Sequence, residues 1–238
     1  MAKKKTSRKK KAPPKRPLRW LLRMSFFAGL GVVLFAFWMG LLWSFFNPPT
    51  TFYMMQERWR LGTVDQDWVA IEDVAPVMAR AVVAAEDANF CQHWGFDVNA
   101  IRSAIAEGSG RGASTISQQV VKNVYLWHGR NWTRKALEAA MTPVVEAMWS
   151  KRRIVEVYLN VAEFDEGVFG VKAAARHYYG VDPQDLSATQ AARLAAILPA
   201  PKSRSASKPT DFVRKRARQI VSGAATIRAD GRAACFES

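Results

Sequence analysis

The 238-residue chain contains two cysteines and three histidines. Two cysteines cannot staple a small scaffold or build a thiolate metal site, and His93, His128 and His177 lack metal-ligand spacing. One Cys91–Cys235 bridge and two free thiols both stay open at this level, because sequence gives no Cα separation. Acids are also sparse, at 20 Asp and Glu against 35 Lys and Arg, a net charge of +15. Eleven of those cations sit in the first 23 residues, where no acid occurs, so the rest of the chain carries only +4. The charge belongs to a tail. That excludes a basic groove across the protein, and with it a nucleic-acid footprint. Gly and Pro number 14 and 11, about average usage, which excludes a collagenous or low-complexity body.

Residues 24–46 hold 23 consecutive positions without a charge. A bilayer core of about 30 Å needs roughly 20 apolar residues, so this run is long enough to span it. It is too long for the apolar region of a signal peptide, and Phe46-Asn47-Pro48-Pro49 offers no small-residue cleavage site. The sequence predicts one N-terminal transmembrane helix, single-pass, preceded by a basic tail over 1–23. Cations on that flank place the N-terminus in the cytoplasm and the remainder on the other side. Residues 47–72 read as a membrane-proximal linker, 73–225 as one mostly α domain, and 226–238 as a C-terminal tail.

Helical periodicity dominates the domain. Val74, Val77, Met78, Ala81, Val82 and Ala85 recur at spacings of three and four, with Pro76 in the first turn. Thr115 with Gln118 and Ser187 with Gln190 form capping-box patterns that open two more helices. Pro143 falls inside a helical pattern near 134–149 and predicts a kink there. Alternation of period two is scarce outside residues 64–71.

Four constellations carry chemistry. Glu86-Asp87 ends a predicted helix and is followed by Phe90, His93 and Gly95, a carboxylate pair suited to general acid–base work. Ser114, Thr115, Gln118, Gln119, Lys122 and Asn123 gather hydroxyls, amides and a cation at a helix start after a glycine-rich stretch, without the Walker spacing. Arg130 precedes Arg134, Lys135 and Glu138, which share a helix face. Glu156, Tyr158 and Asn160 follow Lys151 and read as structural. Any one of these has an ordinary surface or capping explanation.

In this order the four closely resemble the motifs of the peptidoglycan glycosyltransferases: E-D-x-x-F-x-x-H-x-G, G-x-S-T-I-x-Q-Q-x-x-K-N, R-K-x-x-E and K-x-x-I-x-E-x-Y-L-N. Every fixed position is filled, and Ala192 to Pro199 resembles a fifth motif. The resemblance implies a lysozyme-like helical glycosyltransferase domain that polymerises lipid II at the membrane, by inverting transfer onto the acceptor sugar 4-hydroxyl with release of undecaprenyl diphosphate. It places the catalytic carboxylates on Glu86 and Glu138. Diphosphate contacts fall on Lys122 and Arg130 with Arg134 and Lys135 nearby, and cleft-lining roles on Ser114, Thr115, Gln118, Gln119 and Asn123. Its implied partners are lipid II, the growing glycan strand, the bilayer and other cell-wall synthesis or division proteins of unspecified identity. Its implied location is the bacterial inner membrane, with the catalytic domain periplasmic. Members often depend on a divalent cation, Mg or Mn, though no ligand cluster in this sequence supports one independently. Two rival readings remain: a lysozyme-type hydrolase, which needs a protonated acid but no diphosphate cations, and a membrane-tethered scaffold. Ser205-x-x-Lys208 lacks the S-D-N and K-T-G partners of a penicillin-binding domain.

Overall fold

The computed structural model describes residues 16–108, 114–129 and 131–237; the side chains at 16–18, 28, 32, 33 and 36 also lie outside the description. The first 15 residues, the glycine-rich stretch 109–113 and Arg130 are therefore outside the described residues. The chain divides into two units, 1–39 and 40–238. Helix α1 (Arg16–Phe45) is 30 residues long. Among the described residues, no helix is long and apolar enough to cross a membrane.

In the second unit, α2 (Phe52–Leu61) opens on Thr51, whose hydroxyl accepts from the Met54 N–H at 3.2 Å. Such a cap satisfies one of the donors that a helix start leaves unpaired. Strand β1 (Asp65–Gln66) precedes α3 (Pro76–Glu86), which begins on Pro76, where a missing N–H costs nothing. There follow α4 (Val98–Ala106), α5 (Ile116–Tyr125), α6 (Trp132–Met148) and α7 (Lys151–Val161). The capping box on Thr115 and Gln118 is formed in full, as is the one on Ser187 and Gln190 that opens α9 (Ala188–Ile197). Backbone helicity continues through Pro143 on both sides, and the Thr142 hydroxyl donates to the Glu138 carbonyl at 2.7 Å.

Between α7 and α8 (Val171–Tyr179) lie β2 (Glu163–Asp165) and β3 (Val168–Phe169). They form a sheet of order β1-β3-β2, with β1 parallel and β2 antiparallel to β3. Sequence gave no sign of β2 or β3, because strands of two or three residues are too short to show alternation. Gly170 makes the exit from β3 feasible. Its φ is 84°, and a Cβ there would stand 2.9 Å from the Asn160 carbonyl oxygen.

The core is continuous. Helices α3, α9 and α10 (Asp211–Ala229) pack together, and α5 packs on α6 and α7. Met78, Val82, Phe90, Ile116, Ile154, Leu159, Phe169, Leu194 and Ile220 are all buried at this junction, each stabilising by roughly 1.5–3 kcal/mol. Residues 226–238, read from sequence as a tail, carry the end of α10 and the short α11 (Ala234–Glu237), with Phe236 in the core.

The two cysteines are joined. Cys91 and Cys235 form a disulfide with Cα atoms 5.7 Å apart across 144 residues of sequence. Closing so long a loop typically stabilises by about 2–5 kcal/mol. Replacing both cysteines with serine is expected to lower the melting temperature by on the order of 10 °C. Calorimetry of the two proteins under oxidising conditions checks this; equal transitions would show that the bond contributes nothing.

Candidate active site

Glu86 is the last residue of α3, and its carboxylate turns toward α5. The Gln119 amide donates to Glu86 Oε2 at 2.8 Å, and the Tyr158 hydroxyl donates to Gln119 Oε1 at 3.2 Å. A buried tyrosine on α7 thus fixes the amide that fixes the carboxylate. Burial pushes the Glu86 carboxyl above its ordinary range, opposed by the Gln119 hydrogen bond and then by the charges of Arg216 and Lys122.

Its neighbour Asp87 behaves differently. Asp87 Oδ2 accepts from the Ile116 N–H at 3.0 Å, and Oδ1 lies 2.8 Å from His93 Nε2. This carboxylate fastens the end of α3 to the start of α5, so the two adjacent acids have separate tasks. Gly95 completes the join. The Thr115 hydroxyl donates to its carbonyl at 2.7 Å, and a Cβ there would meet Thr142 Cγ2 at 2.7 Å.

Lys122 sits three residues after Gln119, on the same face of α5. It is partly buried and, among the described residues, its ammonium has no hydrogen-bond or ion-pair partner. Burial holds its pKa below the usual lysine range, against the raising effect of the Glu138 and Glu86 charges. Lys122, Gln119 and Asn123 line a cavity of about 400 Å³ whose far walls include Tyr53, His128 and Lys202. Asn123 Oδ1 lies 3.2 Å from His128 Nε2, and the His128 ring stacks on Tyr53 at 3.5 Å. Burial, with the Lys122 and Arg134 charges, lowers the His128 pKa to about 4, so it is neutral at pH 7.

Glu138 on α6 is 2% exposed and doubly bound. Arg134 Nη1 donates to its Oε2 at 2.6 Å, Lys135 Nζ pairs with its Oε1, and Lys135 Nζ also donates to Ser114 Oγ at 3.0 Å. The carboxylate therefore acts as an anchor for two cations whose positions it sets. Thr115 and Gln118 are engaged in the capping box and are buried, while Gln119 and Asn123 face the cavity. Arg130 lies outside the described residues. Sequence reasoning missed the contribution of Arg216 and the walls formed by Tyr53, His128 and Lys202; none of these stands in a recognisable spacing with Glu86.

The described residues do not fit a divalent cation held by side chains alone. Among the described residues no group of three or more His, Cys, Asp or Glu could hold a metal ion. Of the site carboxylates, Glu138 is engaged by two cations and Asp87 by His93 and the Ile116 N–H, while Glu86 accepts one hydrogen bond, from Gln119. A larger cleft of about 640 Å³ lies elsewhere, lined by Arg80, Arg152, Phe236 and Glu237, and contains none of the motif carboxylates.

With this geometry in place, the chain can be set beside known proteins. The family described as Transglycosylase matches residues 54–225. A biosynthetic peptidoglycan transglycosylase of Jannaschia sp. (strain CCS1) is 61% identical over 218 residues, covering 92% of this chain and 90% of that one. Proteins of the same description from Pectobacterium atrosepticum and Salmonella arizonae are 48% and 47% identical, each over 86% of this chain and 88% and 90% of their own. The chain belongs to the transglycosylase family, among the biosynthetic peptidoglycan transglycosylases.

Proposed function

We propose that this protein is a peptidoglycan glycosyltransferase that elongates glycan chains from lipid II. The observation that carries the reading is a partly buried carboxylate, Glu86, held by Gln119 of α5, with the Lys122 cation, unpaired among the described residues, on that same α5. In the proposed step, the acceptor sugar 4-hydroxyl attacks the anomeric carbon of the growing chain. Glu86 takes the hydroxyl proton as the new C–O bond forms, and the bond to the diphosphate breaks with its electron pair leaving on undecaprenyl diphosphate. Burial raises the Glu86 pKa, and a carboxylate of raised pKa is a stronger base. Lys122 is the cation free to meet the charge that grows on the leaving group, as fixed Lys and Arg clamps do for phosphoryl groups. Arg134 and Lys135, fixed by Glu138, supply further positive charge, and Arg130 is assigned there from the motif.

Residues 24–46 serve as the anchor in this reading, supported by the uncharged run and by exposed Trp20, Phe26, Phe27, Phe35, Phe37 and Trp38 on α1. The N-terminus is then cytoplasmic and the domain periplasmic, a compartment in which the Cys91–Cys235 bond persists.

A partly buried carboxyl of raised pKa also suits the general acid of a hydrolase. Two substrates separate the readings. Full-length protein in phospholipid vesicles is expected to convert labelled lipid II into polymer, releasing undecaprenyl diphosphate, and to leave preformed sacculi intact. Clearing of sacculi without polymer would replace this reading with the hydrolytic one.

A further inference from the structure

Glu86 occupies an electrostatically poor position. It closes α3, and the C-terminal end of a helix carries roughly half a negative charge from its unpaired carbonyls. Burial adds a second penalty against the ionised form. A base held there needs compensation from its surroundings.

The groups facing it come from four elements. Asp87, just past the end of α3, is a like charge, Gln119 on α5 donates a hydrogen bond, and Lys122 on α5 contributes a cation that the proposed reaction itself engages. Tyr158 on α7 is neutral and acts through Gln119. The fourth element is α10, which brings Arg216. Its Nη2 donates to the Ala85 carbonyl at 2.9 Å, one residue from Glu86. Arg216 has no carboxylate within ion-pair distance among the described residues, and from the Ala85 carbonyl its charge favours ionised Glu86.

The packing explains how α10 comes close enough. Gly223, two turns beyond Arg216, lies against Ala84, where a Cβ on the glycine would stand 3.3 Å from the Ala84 Cβ. Ala217, Ile220 and Ala224 bury the rest of that face. Further along the chain, Arg232 Nη1 donates to the Ala88 carbonyl at 3.1 Å. The carbonyls on both sides of the Glu86-Asp87 pair are thus each held by an arginine from the C-terminal part of the chain.

Resting on the assignment of Glu86 as the base, we propose that Arg216 is a positioning residue for it: the guanidinium fixes the last turn of α3 through the Ala85 carbonyl and keeps a permanent positive charge beside the Glu86 carboxylate while Lys122 is occupied by the leaving diphosphate. It touches neither sugar nor phosphate. Its function is to keep the base ionised and aimed after substrate has claimed the other cation.

The sign of the effect follows. Removing a cation disfavours the charged carboxylate, so the acid limb of the kcat–pH profile moves to higher pH. In full-length protein assayed with lipid II in vesicles, Arg216→Ala is expected to shift that limb upward by about 0.5–1.5 pH units. Arg216→Lys is expected to restore most of the shift, because charge returns even though the planar fork does not. A residue that only braced α10 would lower activity equally at every pH. Titration of the Glu86 carboxyl by ¹³C NMR, read without substrate, is expected to move in the same direction in Arg216→Ala. An unmoved limb and an unmoved Glu86 titration, in a variant that still melts cooperatively, would overturn the inference. If wild type itself fails to polymerise lipid II, the functional reading fails instead, and the NMR titration still decides whether Arg216 tunes Glu86.

Discussion

Glu86→Gln is expected to reduce lipid II polymerisation by roughly 10²–10⁴-fold, the usual contribution of a positioned general base. The fold should survive, because glutamine is isosteric and its amide oxygen can still accept the Gln119 hydrogen bond. Stability adds an independent check. Burial raises the Glu86 pKa above its ordinary value of 4.5, so ionising this group costs folding free energy. That cost is absent below the unfolded value, and it grows as pH rises through the interval up to the folded value. The Gln variant is therefore expected to melt at the same temperature as wild type near pH 4 and at a higher one near pH 8. Polymerisation at the wild-type rate would remove Glu86 from the mechanism. An unchanged stability difference across pH would show that the carboxylate is not desolvated.

Lys122→Ala carries the second large effect. Loss of one preorganised donor aimed at developing negative charge costs about 10²–10³-fold in kcat, and a similar fall is expected here. Because the Lys122 ammonium has no partner among the described residues and is partly buried, its removal breaks no ion pair. The expected result is a nearly inactive protein whose melting temperature is unchanged or slightly raised. Glu138→Ala provides the contrast. It removes the shared partner of Arg134 and of the more exposed Lys135, and losing hydrogen bonds to a charged group typically destabilises by about 1–3 kcal/mol. Steady-state kinetics paired with calorimetry distinguishes a cation kept free for substrate from one that holds the fold. If Lys122→Ala were strongly destabilised, the residue would belong to the second class.

Much of the helical domain could be read from residue order alone, for identifiable reasons. Pro76 at a first turn and the capping boxes at Thr115 and Ser187 are local signals, closed within four residues, and tertiary context reinforced them. The site was legible as a set of residue types but not as a circuit. By residue type Glu86 and Asp87 look equivalent, and only the motif resemblance singles out Glu86; the physical difference appears when α5 presents Gln119 to one and the Ile116 N–H to the other. Likewise Arg134–Glu138 reads as a surface pair, and it is burial that turns it into an anchor. What stayed invisible depends on long sequence separation. The Cys91–Cys235 pairing and the reach of Arg216 to Ala85 join segments 144 and 131 residues apart, and no local rule reports such distances.

The disulfide also changes the connectivity of the molecule. From Cys91 to Cys235 the chain is a covalent ring that contains α5, α6, α7 and Glu138, while α1, α2 and Glu86 belong to a single strand entering it. A protease that cuts once inside the ring leaves both fragments attached, and the protein migrates as one species until it is reduced. A cut near residues 47–51 instead detaches the N-terminal segment from an otherwise intact ring. The same enzyme treatment therefore has opposite outcomes on either side of Cys91: tolerated nicking on one, clean release of the body on the other.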